Sequence, residues 1–388
     1  MTVDATLVDR VRARLVQTGD LPTAARVAAV LRSEGAVLDD RALLEVVGAV
    51  RSELAGAGPL ESLLADSEVT DVLVNGPGEV WLDRGRGLER TPVTFPDAAA
   101  VSRFAQRLAA WGGRRLDAAQ PMVDARLPGG VRLHAVLPPI SPAGALISLR
   151  VARSRAFTLD DLLQRGSVTA EVVSVLRAVV DRRLSFLVSG GTGSGKTTLL
   201  STLLGEVPAA ERIVLVEDSG ELRPTHPHVV RLEARPANVE GAGAVTLRDL
   251  VRQALRMRPD RLVVGEVRGA EVVDLLAALN TGHDGGCGTV HANSAGSVPA
   301  RLEALGLAAG LGRAALHSQL AAAVQVVVHL DRDRSGHRRI GSVSALERDR
   351  DGLTRVVPAL CIDMHGRSAD GPGAASLAAA LGASVRAP

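Results

Sequence analysis

Apolar residues recur at helical spacing through the first 57 residues of the chain. This spacing predicts helices over residues 6–16, 23–33 and 41–54, and the sequence Gly56-Ala57-Gly58-Pro59 then breaks the pattern. We interpret residues 1–57 as a helical N-terminal extension that packs on the domain after it. Docking of a partner protein is the alternative role of this extension.

The apolar period changes to two from Val69 onward, which indicates strands. Strands are predicted at 71–75 and 79–83 around the turn Gly76-Pro77-Gly78, and a helix at 96–111. Shorter strands are predicted at 123–126, 131–137 and 145–151, where proline and glycine separate them. Residues 58–152 are therefore interpreted as an α+β N-terminal domain, and residues 153–168 as a linker or hinge.

Apolar runs alternate with helical stretches from residue 169 to residue 365. The predicted strands lie at 184–189, 212–216, 261–265, 288–290, 324–330, 340–346 and 353–361, and the helices at 171–181, 196–204, 245–257 and 270–280. Buried parallel strands appear as continuous apolar runs, so we predict an α/β domain with a mainly parallel sheet covered on both faces. Residues 366–388 are rich in Ala, Gly, Ser and Pro, and are interpreted as a mobile tail with a weak helix at 374–381.

The composition is that of an ordinary globular chain. Of 388 residues, 46% are hydrophobic and 23% charged, and the net charge of +2 gives no electrostatic footprint for nucleic acid. Cys287 and Cys361 are too few for a disulfide framework or a zinc tetrad, so we expect a reducing cytosol. The sequence has no apolar run of about 18 residues and no apolar signal-peptide core at its start, so we expect neither a membrane span nor secretion.

Residues 190–197, called the phosphate loop below, fit the pattern G-x-x-x-x-G-K-[ST] between a predicted strand and a predicted helix. Its glycines let successive N–H groups face an anion, and the helix adds the positive end of its dipole. We expect Lys196 to reach the β- and γ-phosphates of ATP, and the Thr197 hydroxyl to ligate Mg²⁺. The predicted nucleotide-binding residues of this segment are Gly190, Gly191, Thr192, Gly193, Ser194, Gly195, Lys196, Thr197 and Thr198.

Acidic residues leave the ends of two later predicted strands. The segment VLVEDSGE supplies Glu217 and Glu221 as candidate catalytic groups and Asp218 as a candidate Mg²⁺ ligand, partly through water. A solvated acidic loop is the alternative interpretation of this segment. The segment LVVGE resembles a Walker B motif, although Gly265 stands where many phosphate-loop ATPases keep an Asp. Its Glu266 is our candidate for the group that orients or activates the attacking water.

Histidines and arginines complete the set of candidates. His291 follows a predicted strand and is a candidate sensor of the γ-phosphate. A metal site built from His283, Cys287 and His291 is not predicted, because the intervening glycines break any helix that would align them and a fourth ligand is absent. Hydrolysis needs positive charge opposite the γ-phosphate. The candidates in the N-terminal domain, for which plain solvation is the alternative, are Arg114, Arg115, Arg126, Arg132 and Arg150.

Six stretches of this chain resemble the secretion or traffic ATPases of type II and type IV secretion and of pilus assembly. The resemblance looks closest to the CpaF/TadA branch, which drives Flp/Tad pilus assembly. The stretches span most of residues 60–300 and are EVTDVLVNGPG (68–78), PMVDARLPGGVRLHAVLPP (121–139), the phosphate loop, IVLVEDSGEL (213–222), LRMRPDRLVVGEVRG (255–269) and LLAALNTGHDGGCGTVHANS (275–294).

The resemblance implies a RecA-like P-loop ATPase domain and a role for each motif residue. It places Glu217, Asp218 and Glu221 in the Asp box of the family. It places Gly265 and Glu266 in a Walker B motif, where Gly before Glu is usual, and His283 and His291 in the His box. It also places Arg126, Arg132 and Arg150 among the arginines directed toward the nucleotide. The turn Gly286-Cys287-Gly288 is richer in glycine than the family pattern, and the tetracysteine zinc module of some type II members is absent from the sequence.

Family members are similar in forming cytoplasmic hexameric rings, so the resemblance implies a homo-oligomer. It also implies inner-membrane platform proteins of a pilus or secretion system as partners, through which the ring associates with the membrane. Mg-ATP hydrolysis would drive domain motion that moves these partners. In a closed head-to-tail ring, arginines of one subunit can approach the nucleotide of the next. Arg256, Arg258 and Arg268 are candidates for that role, with surface solvation as the alternative.

Two other function classes stay open at this point. A nucleic-acid translocase of the conjugation type can use the same ATPase core, but only Trp81, Trp111 and four phenylalanines are available for base stacking, and tyrosine is absent. Nucleic acid is therefore not an expected partner. A nucleotide-binding switch or scaffold with little turnover is the third class. The sequence N-K-x-D, which selects guanine, does not occur in the chain, and this argues against a GTPase.

Overall fold

A computed structural model describes residues 10–11, 14, 24–33, 46–47, 56–66, 68–85, 87–151, 156–235, 237, 242–333 and 336–382. The chain divides into two compact units, Met1–Arg153 and Ser154–Pro388. Of the three helices predicted for the N-terminal extension, the one at 23–33 is observed as α1, Ala24–Ser33. The helices predicted at 6–16 and 41–54 lie largely outside the described residues.

The first unit contains an antiparallel six-stranded sheet with the order β3-β2-β1-β6-β5-β4. Its strands are β1 Asp71–Gly76, β2 Glu79–Asp83, β3 Leu88–Arg90, β4 Met122–Arg126, β5 Arg132–Val136 and β6 Leu146–Arg150. Its described helices are α1, α2 Glu61–Ala65 and α3 Ala98–Trp111, with 3₁₀ turns at Gly58–Leu60 and Pro128–Gly130. The predicted hairpin is observed as β1 and β2.

The core of this unit lies between one face of the sheet and α3. The strands alternate buried and exposed side chains, so Val72, Leu133 and Ile147 share the buried face. Phe104 and Leu108 of α3 belong to the same buried cluster. The opposite face of the sheet carries the more exposed residues of each strand, including the arginines considered below.

The second unit contains a nine-stranded sheet with the order β15-β14-β13-β12-β7-β11-β10-β8-β9. The six strands from β12 to β9 are parallel, and β13, β14 and β15 extend the sheet in antiparallel fashion. The bounds are β7 Phe186–Gly190, β8 Ile213–Glu217, β9 Val229–Glu233, β10 Arg261–Val264, β11 Cys287–His291, β12 Val326–Arg332, β13 Arg338–Arg348, β14 Thr354–Ile362 and β15 Ser368–Asp370. The predicted α/β class with a mainly parallel sheet is confirmed.

Helices cover both faces of this sheet. They are α4 Leu159–Gln164, α5 Ala170–Asp181, α6 Lys196–Gly205, α7 Leu247–Ala254, α8 Glu271–Leu279, α9 Val298–Ala308, α10 Arg313–Ala323 and α11 Ala374–Ala380, with 3₁₀ turns at Leu255–Met257 and Ala295–Ser297. A capping box formed by Thr246 and Asp249 is present at the start of α7. Among the helices of the described residues, none combines the length and apolar character that a membrane crossing requires.

Two hydrophobic cores lie on opposite faces of the sheet. Every residue of β7, β8 and β10 is buried, and successive side chains enter different cores. Leu215 belongs to the core under α4, α5, α6 and α11, whereas Val214 and Val216 belong to the core under α7, α8, α9 and α10. Burial on both faces explains why these strands appear in the sequence as continuous apolar runs.

Two segments predicted as a linker and a mobile tail contribute to the core under α4, α5, α6 and α11. The predicted linker, 153–168, contains α4, which begins with a capping box at Thr158 and buries Leu159 and Leu162. The prediction of a mobile tail from residue 366 was wrong as far as residue 382, because β15 pairs with β14 and α11 buries Leu377. The helix predicted at 374–381 within this tail is observed as α11. The alanine-rich sequence carries little pattern of its own, and the sheet supplies the apolar surface that orders it. Residues 383–388 lie outside the described residues.

Candidate active site

The phosphate loop connects the carboxyl end of β7 to the first turn of α6. Three of its glycines have positive φ, namely Gly190, Gly193 and Gly195. Gly190 has φ +153°, and a Cβ there would lie 2.6 Å from Leu330 O. Gly195, directly before α6, has φ +98°, a left-handed conformation that L side chains rarely adopt. The loop therefore takes the tight path that brings backbone N–H groups and a helix N-terminus to one anion site.

Lys196 is held by the carbonyl groups of the loop itself. Its Nζ donates to Gly190 O at 3.0 Å and to Gly191 O at 2.8 Å, and lies 3.3 Å from His291 Nδ1. The side chain is buried in spite of its charge. Burial lowers the pKa of Lys196, and the negative charge of Glu266 partly opposes this. The ammonium group thus lies in a poorly solvated position beside the anion site.

His291 connects Lys196 to Glu266. His291 Nε2 lies 2.9 Å from Glu266 Oε1, on the side of the ring opposite Nδ1. The ammonium of Lys196 can only donate, so Nδ1 accepts and Nε2 carries the proton that is donated to Glu266. Burial and the neighbouring Lys196 charge lower the pKa of His291, and Glu266 opposes them. The neutral ring that this hydrogen-bond chain needs is therefore favoured at neutral pH.

Glu217 is buried at the end of β8, where it fixes the loop that follows. Its Oε1 accepts hydrogen bonds from Glu221 N at 2.8 Å and Leu222 N at 2.9 Å. In the part of the chain that the structure describes, its Oε2 is buried without a hydrogen-bond partner. Burial raises the pKa of Glu217. A Cβ on Gly265 would lie 2.7 Å from Glu217 Cγ, which explains why an Asp does not fit at residue 265.

Asp218, the candidate Mg²⁺ ligand, pairs with an arginine of the same chain. Its Oδ2 lies 2.5 Å from Arg268 Nη2, and both side chains are partly exposed. Burial raises the pKa of Asp218, while the charge of Arg268 lowers it. Arg268, a candidate for the neighbouring nucleotide in a ring, is thus placed beside the acidic loop of its own subunit.

His283 lies in the loop after α8, and its ring contacts that helix. His283 Nδ1 lies 3.2 Å from Ala278 O at the end of α8. Cys287 is fully buried, and burial raises the pKa of its thiol to about 12. The extra glycines of the turn have a steric reason: a Cβ on Gly286 would lie 2.4 Å from Leu279 Cδ2 and one on Gly288 2.8 Å from Val264 O.

In the first unit, three candidate arginines form a row across neighbouring strands. Arg126 on β4 is paired in register with Arg132 on β5, and Arg132 with Arg150 on β6. The row continues to Asp71 on β1, whose Oδ1 lies 3.2 Å from Arg150 Nε. Cross-strand partners project on the same side of a sheet, so the guanidinium groups share one face. Of the remaining candidates, Arg115 pairs with Asp117 in the loop after α3, a loop that also contains Arg114.

The sequence interpretation missed two arginines that contact the phosphate loop from outside. Arg338 Nε donates to Gly193 O at 2.8 Å, and a Cβ on Gly193 would lie 3.2 Å from Arg332 Nη1. Both lie on the β12–β13 hairpin, and β12 is the neighbour of β7 in the sheet. About 140 residues separate them from the loop in sequence, so spacing gives no signal for the contact.

ATP with Mg²⁺ fits the residues present. Close packing against Leu330 leaves no room for a Cβ at Gly190, which keeps the loop on its tight path, and Lys196 supplies a cation at the loop. Among the described residues, Ser194 Oγ is buried at this loop without a hydrogen-bond partner. The Thr197 hydroxyl and the Asp218 carboxylate are oxygen donors of the kind that Mg²⁺ prefers.

Comparison with known proteins identifies the family. Residues 53–369 match the family described as Type II/IV secretion system protein. The chain belongs to this family. Its α/β fold with an N-terminal domain is shared by solved structures that are named as an ATPase and a pilus retraction motor.

Relatives from several bacteria match over most of their length. The chain is 57% identical over 327 residues to the protein named "Putative conjugal transfer protein Rv3659c" from Mycobacterium tuberculosis (strain ATCC 25618 / H37Rv), covering 83% of this chain and 93% of that protein. It is 33% identical over 298 residues to "Probable conjugal transfer protein TrbB" from Sinorhizobium fredii, covering 76% and 88%. It is 35% identical over 266 residues to "Type IV secretion system protein PtlH" from Bordetella pertussis, covering 63% and 78%.

Two solved structures share the fold of this family member. The ATPase DotB of Yersinia pseudotuberculosis has a TM-score of 0.52 and 19% identity, with 75% of this chain and 78% of that chain covered. The pilus retraction motor PilT, solved with bound ADP, has a TM-score of 0.51 and 19% identity, with 73% and 80% covered.

Proposed function

We propose that this ATPase binds Mg-ATP in its phosphate loop and uses Glu266 to orient or activate the attacking water. The observation that carries the proposal is the hydrogen-bond chain from Lys196 through His291 to Glu266. It joins three segments that are distant in sequence and places a carboxylate two hydrogen bonds from the loop cation. When the Lys196 ammonium group moves toward the phosphates, its hydrogen bond to His291 Nδ1 changes. The hydrogen bond between His291 Nε2 and Glu266 changes with it.

The other candidates have supporting roles in this proposal. Mg²⁺, held by Thr197 and through water by Asp218, would supply charge neutralisation to the phosphates. Glu217 acts by fixing the loop that carries Glu221, since its carboxylate binds the backbone of that loop. Arg126, Arg132 and Arg150 stay candidates for the positive charge that phosphoryl transfer needs, because they present a row of guanidinium groups on one sheet face.

We further propose that the protein is the motor subunit of a ring-shaped secretion or pilus-assembly ATPase. Family membership and relatives named for type IV secretion support a role in a secretion machine. The six sequence stretches that resemble secretion ATPases favour the CpaF/TadA branch. In this proposal the protein is a cytoplasmic hexamer that associates with the membrane through inner-membrane platform proteins. Domain motion driven by hydrolysis would move those partners.

A conjugation-type nucleic-acid translocase is the second candidate. The observation in its favour is that two relatives are named as conjugal transfer proteins. The small net charge and the scarcity of aromatic residues disfavour direct contact with nucleic acid. Stimulation of ATP turnover by single-stranded DNA, lost at higher salt, would support the translocase over the secretion motor.

Phosphate release by the purified full-length protein with Mg-ATP tests the proposal. Lys196→Ala should reduce turnover by about a hundredfold or more, because it removes the cation that faces the transferred phosphate. Arg367→Ala is the matched control. Arg367 is exposed and pairs with Asp363 in a distant turn of the same unit, so the variant should turn over ATP like the unsubstituted protein. Unchanged turnover in Lys196→Ala would refute the site.

A further inference from the structure

The β12–β13 hairpin contacts the phosphate loop at Gly193 and Gly195. Lys196 Nζ holds the carbonyls of Gly190 and Gly191, whereas Arg338 Nε holds the carbonyl of Gly193 at 2.8 Å. The Arg338 side chain also passes Gly195, where its Cδ lies 3.4 Å from the position of a Cβ built on that glycine. Lys196 and Arg338 therefore hold three carbonyl groups of one loop.

The contact at Gly193 orients the next amide of the loop. Across a planar trans peptide, the C=O and the following N–H point in opposite directions. Because Arg338 binds Gly193 O, the Ser194 N–H is directed away from the hairpin. Within the described part of the chain, that N–H makes one long contact of 3.4 Å with Gly191 O, so it keeps its capacity to donate to a stronger acceptor. In loops of this type such amides cradle the inner phosphates of the nucleotide.

The hairpin is itself anchored, so Arg338 acts from a fixed position. Ile340 N donates to Ser167 O at 3.0 Å, and His337 Nε2 lies 3.3 Å from Gly166 O. Asp333 Oδ1 accepts from His337 N at 3.0 Å and closes the turn. Gly166 and Ser167 follow α4, whose Leu159 is buried in the core. The hydrogen bond to the loop therefore loses less conformational entropy than a bond from a free surface arginine would.

We propose that Arg338 is a positioning residue for nucleotide binding, acting through the Gly193–Ser194 peptide of the phosphate loop. This inference rests on the proposed function, because it assumes that the loop binds a nucleotide. Arg338 does not need to touch the nucleotide in this account. It holds the loop in the conformation that presents the Ser194 amide, and its charge adds to the positive potential at the loop. Arg332, beside Gly193, adds a second charge at the same edge.

Equilibrium binding of ADP and ATP to the full-length protein, together with steady-state turnover, tests this role. Arg338→Ala should raise the Kd for both nucleotides by about tenfold, since it removes a hydrogen bond with a charged donor. The Kd for ADP and ATP should rise by the same factor, because the affected peptide faces the inner phosphates that both share. At saturating ATP, kcat should change much less than KM. Arg338→Lys, which keeps a charge and a donor, should recover part of the affinity.

The matched control is again Arg367→Ala, whose arginine is exposed and paired locally. A purely structural role for Arg338 would lower the fraction of active protein, so kcat would fall, the Kd would stay unchanged, and the melting temperature would drop. That outcome, or a Kd for Arg338→Ala equal to that of the control, would overturn the inference. If the unsubstituted protein bound neither nucleotide, the proposed function would fail, and this inference with it.

Discussion

Lys196, His291 and Glu266 form one hydrogen-bond chain across three segments that are distant in sequence. Lys196 has a fixed place in the phosphate-loop pattern, and Glu266 and His291 end apolar strands, so local sequence alone makes each of them a candidate. The hydrogen bonds that join them could not be predicted, because they depend on β7, β10 and β11 lying side by side in the sheet. Arg338 was missed for the same reason.

Glu217 shows how burial changes the interpretation of an acidic residue. In the sequence it stands in a cluster of acids that could equally be a solvated loop. In the structure it is only 3% exposed, and one oxygen binds two backbone amides while Oε2 has no partner within the described part of the chain. No local pattern distinguishes these two environments, because burial is decided by distant parts of the sheet.

Glu217→Gln is predicted to raise thermal stability at pH 8. Burial raises the pKa of Glu217 above its ordinary value of 4.5, so the ionised form opposes folding at high pH. As pH falls through the raised pKa toward 4.5, the folded protein binds the proton first and this cost disappears. The gain in melting temperature should therefore be larger at pH 8 than at pH 5. Glu79→Gln, at the exposed start of β2, is the control. A lower melting temperature for Glu217→Gln at pH 8 would contradict the prediction.

Among the helices and strands, the best predicted were those whose own sequence determines them. The buried strands β7, β8 and β10 follow from continuous apolar runs, and α7 lies within the helix predicted at 245–257. The edge strand β9 has half-buried and exposed residues only, and the sequence interpretation did not include it. The C-terminal strand β15 was missed too, since its three residues are all exposed and only its pairing with β14 defines it.

Helix α11 is predicted to stabilise the second unit through Leu377. This side chain is 5% exposed and belongs to the core formed with β12, β13 and β14. Leu377→Ala should lower the free energy of unfolding by about 2–3 kcal/mol, since it removes buried apolar surface and leaves a cavity. Ala379→Ser, on the exposed side of the same helix, should cost roughly 0.5 kcal/mol or less. Chemical denaturation measures both, and equal stability of Leu377→Ala and the unsubstituted protein would show that α11 is not part of the folded core.

For the whole molecule, the alternation of strands and helices was enough to predict the fold class. The strand order was not predictable, because β7 lies between β11 and β12, which come more than a hundred residues later in the chain. Such pairings depend on long-range contacts that leave no local periodicity. The division after Arg153 falls at the start of the predicted linker, yet the packing of α4 on the core was not visible in the sequence.

Ring formation is a prediction about the whole assembly. A head-to-tail interface that closes on itself gives a ring, and the family resemblance implies six subunits. Light scattering of the full-length protein with Mg-ATP should give about six times the monomer mass. Full ATP turnover by a strict monomer would contradict this part of the account.

The most direct test of the central claim is ATP hydrolysis by Glu266→Gln, measured as phosphate release under single-turnover conditions. Gln keeps the size of the side chain and can accept from His291 Nε2, but it cannot act as a base toward water. The account predicts that hydrolysis falls by about 10²- to 10⁴-fold while the Kd for ATP stays close to that of the unsubstituted protein. Hydrolysis at the unsubstituted rate would contradict it.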